Sequence, residues 1–154
     1  MGRYETLISK YNHLIIIETD MLPSFQSGIC FNNQIYINSN RSEAVKLETL
    51  SEEIAHHKLT YGDITDQTQF NSRKFESYAR RYAMEQLISL QDIIDSFKHG
   101  CHNLYTMANF LEVSEVYVQQ CIDNYKKRFG LSTLHSGYLI HFEPLRVFEH
   151  KNIK

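Results

Sequence analysis

A short run of ionisable residues, Glu52-Glu53-Ile54-Ala55-His56-His57, has the types and spacing needed for metal chemistry. If the run is helical, Glu52 and His56 lie one turn apart on the same face and could hold one ion together. Zinc peptidases use this spacing in the H-E-x-x-H pattern, where two histidines bind the metal and the intervening glutamate activates water. Here Glu52 stands in place of the first histidine, and Glu53 is the candidate catalytic base.

The helix that carries this run should have one fully apolar face and a second face that is partly covered. Each residue advances by about 100°, so Leu50 and Ile54 share one face while Glu52 and His56 point the opposite way. Leu59 lies on the same side as the Glu52 and His56 pair. We therefore expect another element to pack near the candidate ligands.

A third ligand is predicted in the next helical segment, where Glu76 precedes Ala79 and Ala83 by three and seven residues. Small residues at this spacing form a stripe along which two helices can approach closely. The Glu76 carboxylate could then complete the metal site begun on the preceding helix. The alternative is a surface ion pair of Glu76 with Arg73 or Arg80.

The predicted ligand set of Glu52, His56 and Glu76 is rich in oxygen. Catalytic zinc usually has more imidazole ligands, so Zn²⁺ is expected to bind less tightly, and Mn²⁺ or Fe²⁺ is also chemically reasonable. A second register would pair Glu53 with His57, but only Glu52 would then remain as a neighbouring base. We favour the first register and expect His57 to pack and hydrogen-bond.

Short strands are predicted before the motif helix. Leu14-Ile15-Ile16-Ile17 is rich in β-branched residues and indicates a buried strand. Asn32-Asn33, between Ile29-Cys30-Phe31 and Ile35-Tyr36-Ile37, indicates a tight hairpin because asparagine tolerates positive φ. The resulting small antiparallel sheet could bind an extended peptide along the strand near Ile35-Tyr36-Ile37, or that strand could be purely structural.

Capping residues indicate where the helices begin and end. Asn40 followed by Glu43 predicts a capping box at the start of the motif helix, and Gly62 predicts its end. Ser89 followed by Asp92 predicts the start of another helix. The order is therefore sheet first, then the motif helix, then further helices.

Residues 104–128 have the apolar spacing of a helix-turn-helix, in which Ala108 and Val118 pack the two helices together. Glu112 stands where a turn glycine is usual. The second helix carries its cations only at its end, so its leading face lacks the charges that phosphates require. We expect residues 104–128 to have a structural or protein-binding role rather than to bind DNA directly. Nearer the C terminus, alternating apolar and polar residues predict short strands.

The composition fits one compact domain. A chain of 154 residues with 42 % hydrophobic residues can bury a core without disulfides. The net charge of -2 argues against a strongly basic nucleic-acid surface. Cys30, Cys101 and Cys121 form no C-x-x-C pair and are interpreted as reduced packing residues in a cytoplasm. No signal segment or membrane-spanning run is recognised, so we expect no membrane partner.

Four segments of the sequence form a recognisable combination. They are residues 50–57, residues 62–64, the Glu76-x-x-Ala79-x-x-x-Ala83 pattern and residues 100–103. Together they resemble the ImmA/IrrE-like metallopeptidases. The similarity is to small versions encoded beside repressor genes in phages and mobile elements of low-GC Gram-positive bacteria, and it extends from Tyr4 through residues 138–145.

This resemblance implies an α+β fold for the single domain 1–154. Residues 1–88 would form a zincin-like core, with the small sheet and active-site helix, and residues 89–154 a helical subdomain with the helix-turn-helix-like segment and short C-terminal strands. It also implies a zinc endopeptidase in the cytoplasm of a bacterial host, with Glu53 as general base and His56 and Glu76 as metal ligands. Its expected partner is a helix-turn-helix repressor, whose inactivation relieves repression.

The sequence therefore leaves open two candidate functions from different classes. One is a metal-dependent endopeptidase that cleaves a phage or mobile-element repressor. The other is a catalytically weak or inactive adaptor, an antirepressor that binds the repressor without cleaving it, which the substitution at Glu52 favours. A transcription factor that binds DNA through residues 104–128 is the least favoured alternative because of the charge pattern.

Overall fold

A computed structural model of the chain describes residues 2–61 and 72–150, which belong to two compact units, Met1–Leu87 and Ile88–Lys154. In its described residues, the first unit contains a three-stranded sheet and three helices. These elements are α1 (Arg3–Lys10), β1 (Ile15–Thr19), β2 (Gly28–Phe31), β3 (Gln34–Asn38), α2 (Glu43–Tyr61) and α3 (Ser72–Leu87).

The sheet of the first unit has the strand order β1-β3-β2. The predicted hairpin is confirmed: β2 pairs with β3 in antiparallel register, and Asn32 and Asn33 take φ angles of 52° and 61° in the turn. Strand β1 pairs with β3 in parallel, so the sheet is mixed. Ile35 and Ile37 of β3 are fully buried on the side that packs against α2.

Two expectations about these strands are wrong. The run 14–17 is not a buried strand, because Ile15 and Ile17 are 53 % and 38 % exposed on the face of β1 turned away from the core. Strand β3 is central and hydrogen-bonded on both sides, so it cannot accept a peptide as an added strand. Among the described residues, the open edges of this sheet belong to β1 and β2.

The start of α2 also differs from the prediction, because the capping residue is Ser42 and not Asn40. The Ser42 hydroxyl accepts a hydrogen bond from Val45 N at 3.3 Å, as a residue at the N-cap position does. The Asn40 backbone N–H instead donates to Asn38 Oδ1 at 2.9 Å. Gly62, the predicted end of this helix, lies outside the described residues.

Helices α2 and α3 pack against each other through small side chains, as the alanine stripe predicted. Ser51 of α2 adds a hydrogen bond from its hydroxyl to the Ala83 carbonyl at 3.2 Å. This contact brings the N-terminal part of α3 beside the polar face of α2. The buried residues of the contact are Ala55, Leu59, Ala79 and Ala83, with Phe75, Tyr78 and Tyr82 packed against them.

The second unit combines three helices with an antiparallel sheet in the order β4-β5-β6. Its elements are α4 (Leu90–Lys98), α5 (Leu104–Leu111), α6 (Glu115–Phe129), β4 (Ser132–His135), β5 (Tyr138–Phe142) and β6 (Leu145–Glu149). The capping box of Ser89 and Asp92 is confirmed, with hydrogen bonds of 2.9 and 3.0 Å. Glu112 ends α5 in the left-handed conformation that makes glycine usual there.

The two units together give the α+β fold that the sequence predicts. Each unit has its own sheet and its own helices, with α1 to α3 in the first and α4 to α6 in the second. No helix in the described parts of the chain is long and apolar enough to cross a membrane.

The Glu18 carboxylate joins three elements of the first unit, and its contribution to stability should depend on pH. It accepts hydrogen bonds from Lys46 at 2.7 Å and Tyr4 at 3.0 Å. The bond from Lys46 is the largest cause that lowers the pKa of Glu18. The stability it contributes should therefore be present above the unfolded pKa of about 4.3 and be lost as pH falls through the folded pKa.

We predict that Glu18→Gln lowers the free energy of unfolding at pH 7 by up to about 1 kcal/mol, a figure limited by solvent screening of this partly exposed group. Urea unfolding at pH 7 and at pH 3 would test this, with Glu5→Gln on α1 as a control for loss of one carboxylate. The difference between Glu18→Gln and the wild type should shrink at pH 3. An equal difference at both pH values would contradict the assignment.

Candidate metal centre

Three side chains of the first unit converge as a possible metal site. Glu52 and His56 of α2 and Glu76 of α3 each offer a ligand atom, and these atoms lie within 4.8 Å of one another. The first two meet through helical spacing, whereas Glu76 arrives through the packing of α3 on α2. These are the three residues that the sequence placed in the ligand set, and the structure brings them together.

The two ring nitrogens of His56 differ, because one lies at hydrogen-bond distance from a carboxylate and the other has no hydrogen bond among the described residues. Nδ1 lies 2.7 Å from Glu53 Oε1, so the neutral ring carries its proton at Nδ1 and has its lone pair at Nε2. Nε2 is buried and, among the described residues, has no hydrogen-bond partner. It lies 3.1 Å from Glu76 Oε2, outside hydrogen-bond geometry but close enough for an ion pair when the ring is protonated. The ring of Phe75 covers this histidine, with centroids 5.6 Å apart.

A buried nitrogen that lacks a hydrogen bond is costly, and a metal ion is one partner that would satisfy it. The donor set of one imidazole and two carboxylates is able to hold a divalent cation, although it is richer in oxygen than a typical catalytic zinc site. The residues present therefore fit the metal that the resemblance implies.

The electrostatics of the cluster also favour a cation. Burial alone would lower the pKa of His56, but the hydrogen bond and charge of Glu53, followed by the charges of Glu76 and Glu52, outweigh it and raise the pKa. Burial raises the pKa of Glu52, and the nearby Arg80 and His56 only partly oppose this. Three carboxylates thus share a small, partly buried volume, where a divalent ion would relieve their mutual repulsion.

The candidate base, Glu53, is only 5 % exposed and lies between α2 and the edge strand β2. Gly28 begins β2 at this point, and a Cβ there would come within 2.5 Å of Thr49 Cγ2 and 3.4 Å of Glu53 Cγ. Only glycine lets the strand pass so close to the helix. Gly28 was not predicted from the sequence, although a glycine next to a hairpin strand is a recognisable sign of close backbone approach.

A cysteine nucleophile is disfavoured beside this base. Burial, followed by the charge of Glu53, raises the pKa of Cys30 to about 11, so its thiol stays protonated at neutral pH. Cys101 and Cys121 are buried in the second unit. These surroundings suit the packing role that the sequence predicted for all three cysteines.

Arg80 is a further charged group at the edge of the cluster. Its Nη2 lies 3.7 Å from Glu52 Oε1, while 61 % of its side chain is exposed. From the sequence, Arg80 was expected only as a surface partner for Glu76. The packing of the helices places it beside Glu52, the residue that replaces the first histidine of the motif.

His57 has a structural contact in the described part of the chain. Its Nε2 lies 2.5 Å from Asn33 Oδ1 and so links α2 to the hairpin turn. Burial, and then the charge of His13, lowers the pKa of His57. Glu53 contacts His56 rather than His57, so the described residues do not assemble the alternative ligand register.

In this α+β fold, the helix α2 that carries Glu52 and His56 packs against a small mixed sheet. A family model described as the IrrE N-terminal-like domain, Peptidase M78, matches residues 13–123, and the chain belongs to this family. The match includes Glu52, Glu53, His56 and Glu76, and it confirms the family expected from the sequence. No curated protein and no solved structure matches the chain.

We predict that the protein purified without chelator binds one divalent ion per chain. His56→Ala and Glu76→Gln should lose that ion because each removes one of the three proposed protein ligands. Glu85→Gln, on α3 but outside the cluster, should retain it. Elemental analysis of the three variants and the wild type measures this directly, and metal retained at wild-type stoichiometry in His56→Ala would contradict the site.

Proposed function

We propose that this chain is a metal-dependent endopeptidase in which Glu52, His56 and Glu76 hold the ion and Glu53 is the general base. The supporting observation is the buried Nε2 of His56, which has no hydrogen-bond partner among the described residues and faces the Glu76 carboxylate. Membership of a metallopeptidase family supports the general class of function. The ion would be Zn²⁺, with Mn²⁺ or Fe²⁺ as alternatives for this oxygen-rich set.

When bound, the ion would polarise the substrate carbonyl and make a water molecule more acidic. Glu53 supplies the proton transfer. Its Oε1 accepts the hydrogen bond from His56 Nδ1 and orients that ring. Because Nδ1 and Nε2 face different sides of the ring, Glu53 would release this hydrogen bond when it takes a proton from the attacking water and passes it to the leaving amine. One buried carboxylate would thus serve in turn as support for the histidine and as base.

The substrate would lie along the edge strand β2. This strand has an open edge among the described residues and passes Glu53 at Gly28. An extended peptide could add to it through main-chain hydrogen bonds, which would hold a peptide carbonyl near the candidate base. In this proposal, β2 takes the role that the sequence left open for β3.

The proposed target is a helix-turn-helix repressor of a phage or mobile element in the cytoplasm of a bacterial host. The resemblance to proteins encoded beside repressor genes motivates this target. The second unit offers some support, because Tyr105 of α5 and Val116 of α6 are large, exposed apolar residues. Such residues are better suited to a protein partner than to a phosphate backbone.

An adaptor that binds the repressor without cleaving it remains the second candidate. The observation that favours it is Glu52 in the position of the first histidine, together with the approach of Arg80 to this carboxylate. An arginine could balance part of the cluster's charge without any metal. The two functions differ in whether Glu53 is needed.

We predict that Glu53→Gln lowers the rate of repressor cleavage by about 10²- to 10⁴-fold, because it removes the proton acceptor. Binding of the repressor should remain, since the amide keeps the size of the carboxylate. Cleavage would be followed by electrophoresis and binding by calorimetry, with Glu48→Gln as a control on the same helix. Unchanged cleavage by Glu53→Gln would rule out the assigned base; binding without cleavage by the wild type would establish the adaptor.

Glu52→His provides a gain-of-function prediction. It restores the two-imidazole pattern on α2, so zinc should bind at least about tenfold more tightly. Competition with a chromophoric chelator would measure the dissociation constant, and Glu48→His would control for adding a histidine to the same helix. If zinc binds both variants with wild-type affinity, Glu52 does not occupy a ligand position.

A further inference from the structure

The third ligand, Glu76, is flanked by two arginines on α3. Arg73, Glu76 and Arg80 are spaced at i, i+3 and i+7, so they form one stripe along the helix. Both arginines are exposed. Their backbone positions are about 10 Å apart along the helix axis, which equals about three residues of an extended peptide.

Positive charge is concentrated on this helix although the chain as a whole carries a net charge of -2. Arg81, on the adjacent stripe, already donates to Ser77 Oγ at 2.7 Å and lies over the ring of Tyr78. Arg80 differs, because its Nη2 lies 3.7 Å from Oε1 of the predicted ligand Glu52. It is therefore an exposed cation beside the candidate metal centre.

We propose that Arg80, assisted by Arg73, binds a carboxylate of the substrate close to the bond that is cleaved. The site would then select acidic peptides. This inference rests on the proposed function, since it assigns a substrate class to the same site. A guanidinium binds a carboxylate through two parallel hydrogen bonds, and the exposed Arg80 can make them toward solvent.

The metal would strengthen this selectivity. A metal-free Glu52 competes for Arg80, whereas Glu52 coordinated to a divalent ion has less negative charge to offer the guanidinium. Arg80 is then available to a substrate carboxylate. That carboxylate could come from an aspartate or glutamate side chain within the peptide or, where the cleaved bond lies a few residues from the C terminus, from the C-terminal α-carboxylate.

The test uses zinc-loaded Glu53→Gln protein, so that peptides bind without being cleaved. The probes would be fluorescein-labelled ten-residue peptides with a central Leu-Ala pair. Either aspartate or asparagine would stand on each side of this pair, with alanines at the other positions. Each peptide would be made with a free and with an amidated C terminus. Fluorescence anisotropy at low salt gives the dissociation constants. The comparison adds Arg80→Gln or Arg73→Gln to this background, with Lys127→Gln in the second unit as the matched control.

We expect the aspartate peptides, or those with a free C terminus, to bind about tenfold more tightly than their uncharged counterparts. The set of charged peptides that binds more tightly than its uncharged counterpart identifies the source of the carboxylate. The advantage should fall below about twofold in Arg80→Gln, decrease partly in Arg73→Gln and persist in Lys127→Gln. Zinc content should be unchanged in Arg80→Gln, which separates loss of selectivity from loss of the metal site.

Equal affinity for charged and uncharged peptides, an advantage that survives Arg80→Gln, or no binding of any peptide would overturn the inference. Cleavage assays with the wild type distinguish this failure from failure of the proposed function. Cleavage without a preference for acidic peptides contradicts only the role of Arg80. Acid-selective binding that Arg80 controls, without any cleavage, contradicts only the peptidase.

Discussion

The close approach of α2 and α3 is the constraint on which the candidate site depends. Glu52 and His56 are neighbours through helical spacing alone, but a third ligand must come from another element. Ala79 and Ala83 let α3 lie close to Ala55, and this places Glu76 beside His56. Larger side chains in this contact would push the helices apart and move the third ligand away.

The close packing of α2 and α3 also places several charges within a small volume, where their repulsion must be compensated. Three carboxylates surround His56, and the raised pKa of that histidine reflects their combined field. Arg80 offsets part of this charge at the edge but remains largely exposed. A divalent cation between Glu52, His56 and Glu76 would compensate the charge more fully and occupy the available nitrogen of His56.

Most features set by neighbouring residues could be predicted from the sequence, although the cap at Asn40 could not, and several features set by tertiary contacts could not be predicted. The hairpin at Asn32-Asn33 and the cap at Ser89 depend on local backbone geometry, and both were predicted correctly. The parallel pairing of β1 depends on a distant strand, and it leaves β3 without an edge. The approach of Arg80 to Glu52 likewise depends on how two helices pack, which the spacing within either helix does not reveal.

X-ray absorption spectroscopy of the zinc-loaded protein tests the central claim most directly, because it reports the atoms bound to the metal. One imidazole from His56 and oxygen ligands from Glu52 and Glu76 should give a first shell dominated by oxygen and nitrogen near 2.0–2.2 Å, with the multiple scattering of a single histidine. Scattering from two or more imidazoles, or a sulfur ligand near 2.3 Å, would contradict the account.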